Sequence, residues 1–109
     1  MSKITSHILD TTCGKPAEGI EVELYLENDL ISHDISNNDG RVTSLLSNDK
    51  SLSPGNYKLK FFTSVYFKAR GVESFYPIVE INFNIEEIDQ HYHVPLLLAS
   101  HGYTTYRGS

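Results

Sequence analysis

The chain has 109 residues, 39% of them hydrophobic, and a formal charge of -5 at pH 7. This length and composition predict a single compact domain over residues 1–109. The nine lysines and arginines are scattered, which argues against a nucleic acid or an anionic membrane as partner. Cys13 is the only cysteine of the sequence, which excludes a disulfide framework or a cysteine zinc site within one chain. There is no signal sequence and no apolar run of about 18 residues, so we expect a soluble, cytoplasmic protein.

Apolar and polar residues alternate along several segments, which is the pattern of half-buried strands. In the clearest case Val22, Leu24 and Leu26 share one face, and Glu21 and Glu23 lie on the other. Turn-forming residues separate these segments, and the turn at 37–40, Asn-Asn-Asp-Gly, most resembles that of a hairpin. In chain order, strands are predicted over residues 4–10, 21–26, 30–36, 41–46, 57–61, 79–85, 92–98 and 103–107, with turns at 13–16, 37–40 and 53–56.

Residues 63–71 break the alternation. They begin with Thr63 and Ser64, which are cap-forming residue types, and they end in Arg70 and Gly71, so a short helix is predicted. The fold class is therefore mostly β, an antiparallel sandwich of about eight strands with one short helix. A long apolar strand such as 92–98 would aggregate if it were an unpaired edge, and we therefore expect association into a dimer or a higher oligomer.

Histidines and one arginine are the candidate functional residues. His91 and His93 lie two apart on a predicted strand and so project from the same face. Three interpretations stay open for this pair: a solvated strand start, a catalytic pair, or two metal ligands with a third from His7, an acid or a partner chain. Alone, His7 is equally compatible with a structural role in its strand, and Arg41 with a charged residue that leaves a turn. No phosphate loop, nucleophile elbow or zinc-protease motif is present, and no cofactor is predicted.

Five separated segments carry a more specific signal together. They are residues 7–17 (HILDTTCGKPA), 39–41 (DGR), 70–77 (RGVESFYP), 91–98 (HYHVPLLL) and 102–109 (GYTTYRGS). In this order, across nearly the whole chain, they resemble the 5-hydroxyisourate hydrolases, the enzyme branch of the transthyretin-like family. The sequence departs from the pattern at 99–101, where a Ser-Pro pair and a third residue are common, and at Thr104, where a serine is common.

The resemblance implies the transthyretin-like (prealbumin-like) sandwich, a homotetramer, and hydrolysis of the ring amide of 5-hydroxyisourate in urate degradation without a metal or a cofactor. It also implies which residues form the site, with the chain terminus as part of it. The catalytic residues carried over are His7, Arg41, His93 and Ser109, and the substrate-binding residues are His7, Arg41, Tyr106, Arg107, Gly108 and Ser109.

The residue types suit this chemistry. Two imidazoles can take a proton from water and return it to a departing ring nitrogen, a task assigned to His7 and His93 jointly, and Arg41 can hold adjacent acceptors and developing negative charge. Ser109 offers a hydroxyl, and residues appended to it are predicted to damage the site. Tyr106 and Arg107 either hold the tail in place or serve interface packing and a salt bridge.

Other classes compete with the hydrolase. A transthyretin-like binding protein without catalysis has the same fold, and fold alone does not decide function. It would be expected to lack the histidine and arginine set. An adhesion or carbohydrate-binding sandwich would need a secretory signal, and a metal-dependent hydrolase would lose its activity to a chelator.

Overall fold

The computed structural model describes residues 3–46 and 52–108. Over these two ranges the chain forms nine strands and one short helix. In chain order they are β1 (Ile4–Asp10), β2 (Lys15–Pro16), β3 (Glu21–Leu26), β4 (Asp29–Ile35), β5 (Arg41–Val42), β6 (Gly55–Phe61), α1 (Thr63–Ala69), β7 (Val79–Ile85), β8 (Tyr92–Ala99) and β9 (Gly102–Thr105).

The strands form two sheets. One has the order β2-β1-β8-β9, with β5 also paired to β1, and the other has the order β4-β3-β6-β7. Neighbours pair antiparallel except β1 and β8, which run parallel from Ile4 beside Tyr92 to Asp10 beside Leu98. The mostly β sandwich with one short helix is therefore confirmed, and one central pair departs from the antiparallel prediction.

The core lies between the sheets and follows the alternation of the sequence. On β8, Tyr92, Val94, Leu96 and Leu98 are all buried, as the period of two predicts. Each fully buried Leu or Ile contributes about 1.5–3 kcal/mol from apolar area removed from water. The core residues of the other elements include Ile4, Ile8, Val22, Leu24, Leu59, Phe61, Phe67, Val79 and Ile85.

The helix begins without the predicted side-chain cap. Phe62 is at the N-cap position and makes no side-chain cap hydrogen bond, and Oγ1 of the buried Thr63 has no hydrogen-bond partner. The predicted end is correct, since Gly71 has φ +69° and the Val72 N–H donates to Phe67 O at 2.9 Å, an αL termination that favours glycine.

Within the described ranges, no helix has the length and apolar character needed to cross a bilayer.

The prediction that the turn at 37–40 is a hairpin turn is wrong, because β4 and β5 belong to different sheets. It carries the chain across the sandwich, with the Gly40 N–H donating to Asn37 O at 2.8 Å. Gly40 has φ +74°, and a Cβ there would collide with the carbonyl oxygen of Ile8. The following strand ends at Val42, not at the predicted residue 46, because the Thr43 and Ser44 N–H groups donate to the Asp34 carboxylate.

Two further predictions on the strands need correction. The strand of residues 92–98 is not an edge, because β8 lies between β1 and β9, so it gives no reason for association. The long edges of the two sheets are instead β9, β4 and β7. The last strand covers Gly102–Thr105 rather than 103–107, and only Gly108 continues the pairing, as an isolated bridge to His93.

Candidate active site

The face of the five-stranded sheet that points away from the core carries the candidate residues. On β1, the residues that alternate with the buried Ile4, Ser6 and Ile8 include Thr5 and His7. Thr5 pairs with His93 across the parallel strands, and His7 pairs with Arg41 across β1 and β5. Since paired residues project from the same side of a sheet, His7, Arg41 and His93 share one outer face.

His7 is half-buried and held in one tautomer. Its Nε2 lies 2.9 Å from the carbonyl oxygen of Asp39. A carbonyl oxygen only accepts hydrogen bonds, so Nε2 carries the hydrogen and donates it. The lone pair of a neutral His7 is therefore on Nδ1, where it is available as a base.

His93 lies in the most perturbed environment of the group. Burial lowers the pKa of His93 below its usual 6.5, and positive charge on His91, Arg41 and His7 lowers it further. The imidazole is therefore neutral at physiological pH. Its Nδ1 lies 2.8 Å from Thr5 Oγ1, and Nε2 of the exposed His91 lies 2.9 Å from the same oxygen.

Arg41 offers an unpaired guanidinium. The side chain is exposed, and no hydrogen bond or ion pair joins it to another residue within 3–46 and 52–108. Its backbone N–H donates to Asn37 Oδ1 at 3.0 Å, which fixes the base of the side chain to the turn. A fork of five donors next to two imidazoles can bind a planar ligand that is rich in carbonyl oxygens.

The residues after β9 run beside His93. The Gly108 N–H donates to His93 O at 2.8 Å, and a Cβ at Gly108 would lie only 2.6 Å from His93 Cδ2. Glycine is therefore required at this position by the close approach of the imidazole. Tyr106 is exposed. Ser109, predicted to supply a hydroxyl, lies outside the described residues.

Arg107 has a different role from the other residues of this segment. Its guanidinium donates to Gln90 Oε1 at 2.7 Å and lies 4.7 Å from the centroid of the Tyr92 ring. Tyr92 belongs to the inward-facing set of β8, so Arg107 points away from His7 and Arg41. Of the two roles predicted for Arg107, these contacts favour holding the tail in place, through an amide and an aromatic ring.

A cleft of about 250 Å³ opens between β7, β8 and the residues after β9. His93, Tyr106 and Arg107 line it, but His7 and Arg41 do not. Since Arg41 is exposed, the face shared by His7, Arg41 and His93 is open surface within one chain. The candidate site is thus assembled but not enclosed.

The Thr5 hydroxyl lies between His91 and His93. Both imidazoles direct one nitrogen to the Thr5 hydroxyl, and over the described residues no group of three His, Cys, Asp or Glu is placed to hold an ion. Thr5 is not among the site residues predicted from the sequence. Its position two residues before His7 on a strand was the available signal, because such residues share a face.

Comparisons with known proteins identify relatives of the whole chain. At the sequence level the chain is 42% identical to a 5-hydroxyisourate hydrolase of Halalkalibacterium halodurans, over 98% of each chain. It is 44% identical to 5-hydroxyisourate hydrolase 2 of Rhizobium meliloti, over 98% of this chain and 96% of the relative.

Solved structures show the same fold. The structure of Klebsiella pneumoniae 5-hydroxyisourate hydrolase superposes with a TM-score of 0.91 at 38% identity, and all of each chain is covered. Sea bream transthyretin in complex with thyroxine also gives a TM-score of 0.91, over 98% of this chain and 95% of the other, but at 24% identity, which shows the fold alone. The sequence profile of the HIUase/Transthyretin family matches residues 4–108, and the chain belongs to that family.

Proposed function

We propose that this protein is a 5-hydroxyisourate hydrolase, which opens the ring amide of 5-hydroxyisourate to give 2-oxo-4-hydroxy-4-carboxy-5-ureidoimidazoline in urate (purine) degradation. The observation that carries the proposal is the grouping of two imidazoles and an exposed guanidinium on one sheet face. Relatives that are 42–44% identical over nearly the full length carry the same name.

The reaction requires a water that is made more nucleophilic. The water oxygen forms a bond to the amide carbon, and a proton of this water passes to an imidazole. His93 suits this step because burial and its cationic neighbours keep it neutral. His7 has a free Nδ1 lone pair because Nε2 is bonded to Asp39 O. The two histidines share the proton transfers, and one of them returns the proton to the ring nitrogen when the carbon–nitrogen bond breaks.

Negative charge develops on the carbonyl oxygen as the carbon becomes tetrahedral. Arg41 provides fixed positive charge and several donors on the same face, and donors placed in advance stabilise such an oxyanion more than mobile water does. Its guanidinium also suits the planar, oxygen-rich substrate. Gly108 and Tyr106 lie on the His93 side of the site, and the Ser109 hydroxyl stays a predicted contact.

The alternative function is a transthyretin-like binding protein without catalysis. Its support is the fold, which sea bream transthyretin shares. Against it stands the polar character of the outer face, because His7, Arg41, His91 and His93 are a poor match for an apolar ligand. A face of this kind fits a polar heterocycle better.

We further propose a homotetramer of single-domain chains in the cytoplasm. The match of the family profile over residues 4–108 supports a single domain, and the free, exposed Cys13 suits a reducing compartment. Support for self-association comes from three features of one chain: the free edges of β7 and β9, the open face of the site, and a cluster of exposed aromatic rings formed by Phe75, Tyr76 and Tyr103.

The test of the hydrolase is a direct assay. 5-Hydroxyisourate is generated from urate with a urate oxidase, and its decay and the circular dichroism of the product are followed with and without the protein. We expect faster decay to a single enantiomer, unaffected by a chelator. Decay at the spontaneous rate in the presence of folded protein would leave the binding protein as the better account, and loss of activity with the chelator would favour a metal-dependent hydrolase.

A further inference from the structure

Thr5 connects two imidazoles of the outer face. Its Oγ1 lies 2.9 Å from Nε2 of His91 and 2.8 Å from Nδ1 of His93. The residue is only 9% exposed, and it lies directly beside His93 in the parallel register of β1 and β8. The centroids of the two imidazole rings are 6.3 Å apart, so the hydroxyl is the polar group that joins them.

The single hydrogen of the Thr5 hydroxyl determines which nitrogen of His93 can act as a base. A hydroxyl has one hydrogen, so Thr5 donates to only one of the two imidazoles at a time. If it donates to His91, the Nδ1–H of His93 must donate to Thr5, and the Nε2 of a neutral His93 keeps its lone pair. If it donates to His93 instead, Nε2 of the neutral ring carries the hydrogen and is no longer a base.

We propose that Thr5 is a positioning residue for His93 and that His91 acts through it. A neutral His91 accepts the Thr5 hydrogen, which holds His93 in the tautomer whose Nε2 accepts a proton from water. This inference rests on the proposed hydrolase function and deepens it, because it explains how one of two equivalent tautomers is selected before the substrate arrives.

Protonation of His91 reverses the arrangement. A doubly protonated imidazole only donates, so His91 no longer accepts the Thr5 hydrogen; when that hydrogen turns to Nδ1 of His93, the base at Nε2 is lost. The charged and titratable groups that act on His93 are His91 before β8, Arg41 on β5 and His7 on β1.

The first test removes the hydroxyl. Thr5→Val keeps the branched shape and the burial, and Thr5→Ser keeps the hydroxyl. We expect Thr5→Val to lower kcat at least tenfold with KM changed less than about twofold, because a misplaced proton affects the proton transfer and not binding. Thr5→Ser should recover most of the loss. The matched control is Thr63→Val, which removes the buried hydroxyl without a partner at the start of α1. Equal kcat for Thr5→Val and this control would overturn the proposal.

The second test asks whether the side chain at position 91 must accept the Thr5 hydrogen. His91→Gln presents an amide oxygen that accepts the Thr5 hydrogen at every pH, and His91→Leu has no acceptor. We expect the Gln variant to keep kcat at neutral pH and to extend it to lower pH, and the Leu variant to lose kcat as Thr5→Val does. Full activity and an unchanged pH profile in His91→Leu would contradict the role of His91.

The third test does not depend on turnover. The ¹⁵N shifts of the His93 ring, assigned by comparison with His93→Asn, report which nitrogen carries the hydrogen in the resting protein. The Nδ1–H form at neutral pH in the wild type, lost in Thr5→Val, supports the proposal, and the Nε2–H form in the wild type overturns it. If the wild type shows no hydrolase activity, the proposed function fails, and this measurement still decides the role of Thr5.

Discussion

His93 lies where three cationic or ionisable groups converge on one sheet face. Burial lowers the pKa of its imidazole first, and His91, Arg41 and His7 each add to the effect. A structural histidine usually has a partner that stabilises its charge, whereas the groups around His93 disfavour its charged form. Such an environment is typical of a residue that must be neutral to work.

Replacement of either proposed proton carrier tests its role at the level of single residues. His7→Asn and His93→Asn keep a polar side chain on the sheet face but remove the imidazole that would carry the proton. We expect both to remain folded and to lose about 10²–10⁴-fold in kcat/KM, the usual contribution of general acid–base catalysis.

The matched control is His33→Asn, since His33 is an exposed residue of β4 in the other sheet. The assay is the decay of 5-hydroxyisourate described above, and circular dichroism in the far ultraviolet checks the fold. If a folded variant at position 7 or 93 turns over like the control, that histidine is not a proton carrier.

The lowered pKa of His93 also predicts how stability depends on pH. Below about pH 6.5 the unfolded chain takes up a proton at this histidine, while the folded protein, whose pKa is lower, does not. The unfolded state then binds more protons, so stability rises with pH. The contribution is fully present above about pH 6.5 and is lost as the pH falls towards the folded pKa.

This effect is measured by denaturant unfolding between pH 5 and 8 at one fixed protein concentration. We expect the free energy of unfolding of the wild type to fall more steeply with acid than that of His93→Asn, which lacks the group. Parallel pH dependences for the two proteins would show that the environment of His93 does not disfavour its charge.

At the level of elements, the strands were predictable and their connections were not. Alternation of apolar and polar residues depends only on local spacing, and β1, β3, β6, β7 and β8 begin and end within two residues of the predicted bounds. The path after the turn at 37–40 depends on Gly40 packing under Ile8 and on Asp34 binding the Thr43 and Ser44 N–H groups. These contacts join residues distant in sequence or compete with strand pairing, so no local pattern reveals them.

The candidate site was predictable to a similar degree. The shared face of His91 and His93 follows from their spacing, but the placement of Arg41 opposite His7 requires the pairing of β1 with β5, which only the family resemblance implied. The bridging role of Thr5 depends on the parallel pairing of β1 with β8. The alternation of apolar and polar residues does not distinguish parallel from antiparallel neighbours, so it gives no basis for placing Thr5 beside His93.

In the segment after β9, a single added carbon atom at Gly108 would disturb the site. A Cβ at Gly108 would lie 2.6 Å from His93 Cδ2 and 3.3 Å from Pro95 Cγ, so Gly108→Ala must displace either the imidazole or the tail. We expect a loss of kcat/KM of at least about tenfold, since small misplacements of catalytic groups have large effects on rate. The global stability should change little, because Gly108 is joined to β8 by an isolated bridge.

The control for this prediction is Gly102→Ala, at the start of β9. A Cβ there meets no heavy atom within 4 Å, and this glycine does not have a positive φ. Both variants are compared by steady-state kinetics and by thermal unfolding. Activity of Gly108→Ala equal to that of Gly102→Ala would mean that the close approach of Gly108 to His93 is not needed for the reaction.

At the scale of the whole molecule, the site face lies open, and over the described residues β7 and β9 each have a neighbouring strand on one side only. An exposed aromatic cluster adds a second surface suited to association. The ring centroids of Phe75 and Tyr76 are 4.9 Å apart, and those of Tyr76 and Tyr103 are 5.3 Å apart. The backbone of this loop is fixed, since the Phe75 N–H donates to Ser100 O at 2.8 Å. A rigid, exposed aromatic group of this kind is a common anchor of protein interfaces.

Truncation of this anchor tests self-association. Phe75 is 68% exposed in one chain, so Phe75→Ser should leave the fold of the chain intact. If the ring is buried between copies, its loss weakens association by about 2 kcal/mol or more, which is roughly thirtyfold in the dissociation constant. The control is Val65→Ser on α1, where an apolar side chain is similarly exposed, at 66%, but lies outside the aromatic cluster.

Light scattering coupled to size exclusion, over a dilution series, gives the mass of each variant. We expect Phe75→Ser to dissociate at concentrations where the wild type and Val65→Ser remain assembled. If the open face is completed by a neighbouring copy, the specific activity of Phe75→Ser should fall in parallel with its mass on dilution, because the substrate then loses part of its enclosure. A mass that follows the wild type at every concentration would place the interface elsewhere, and dissociation with constant specific activity would show that one chain holds a complete site.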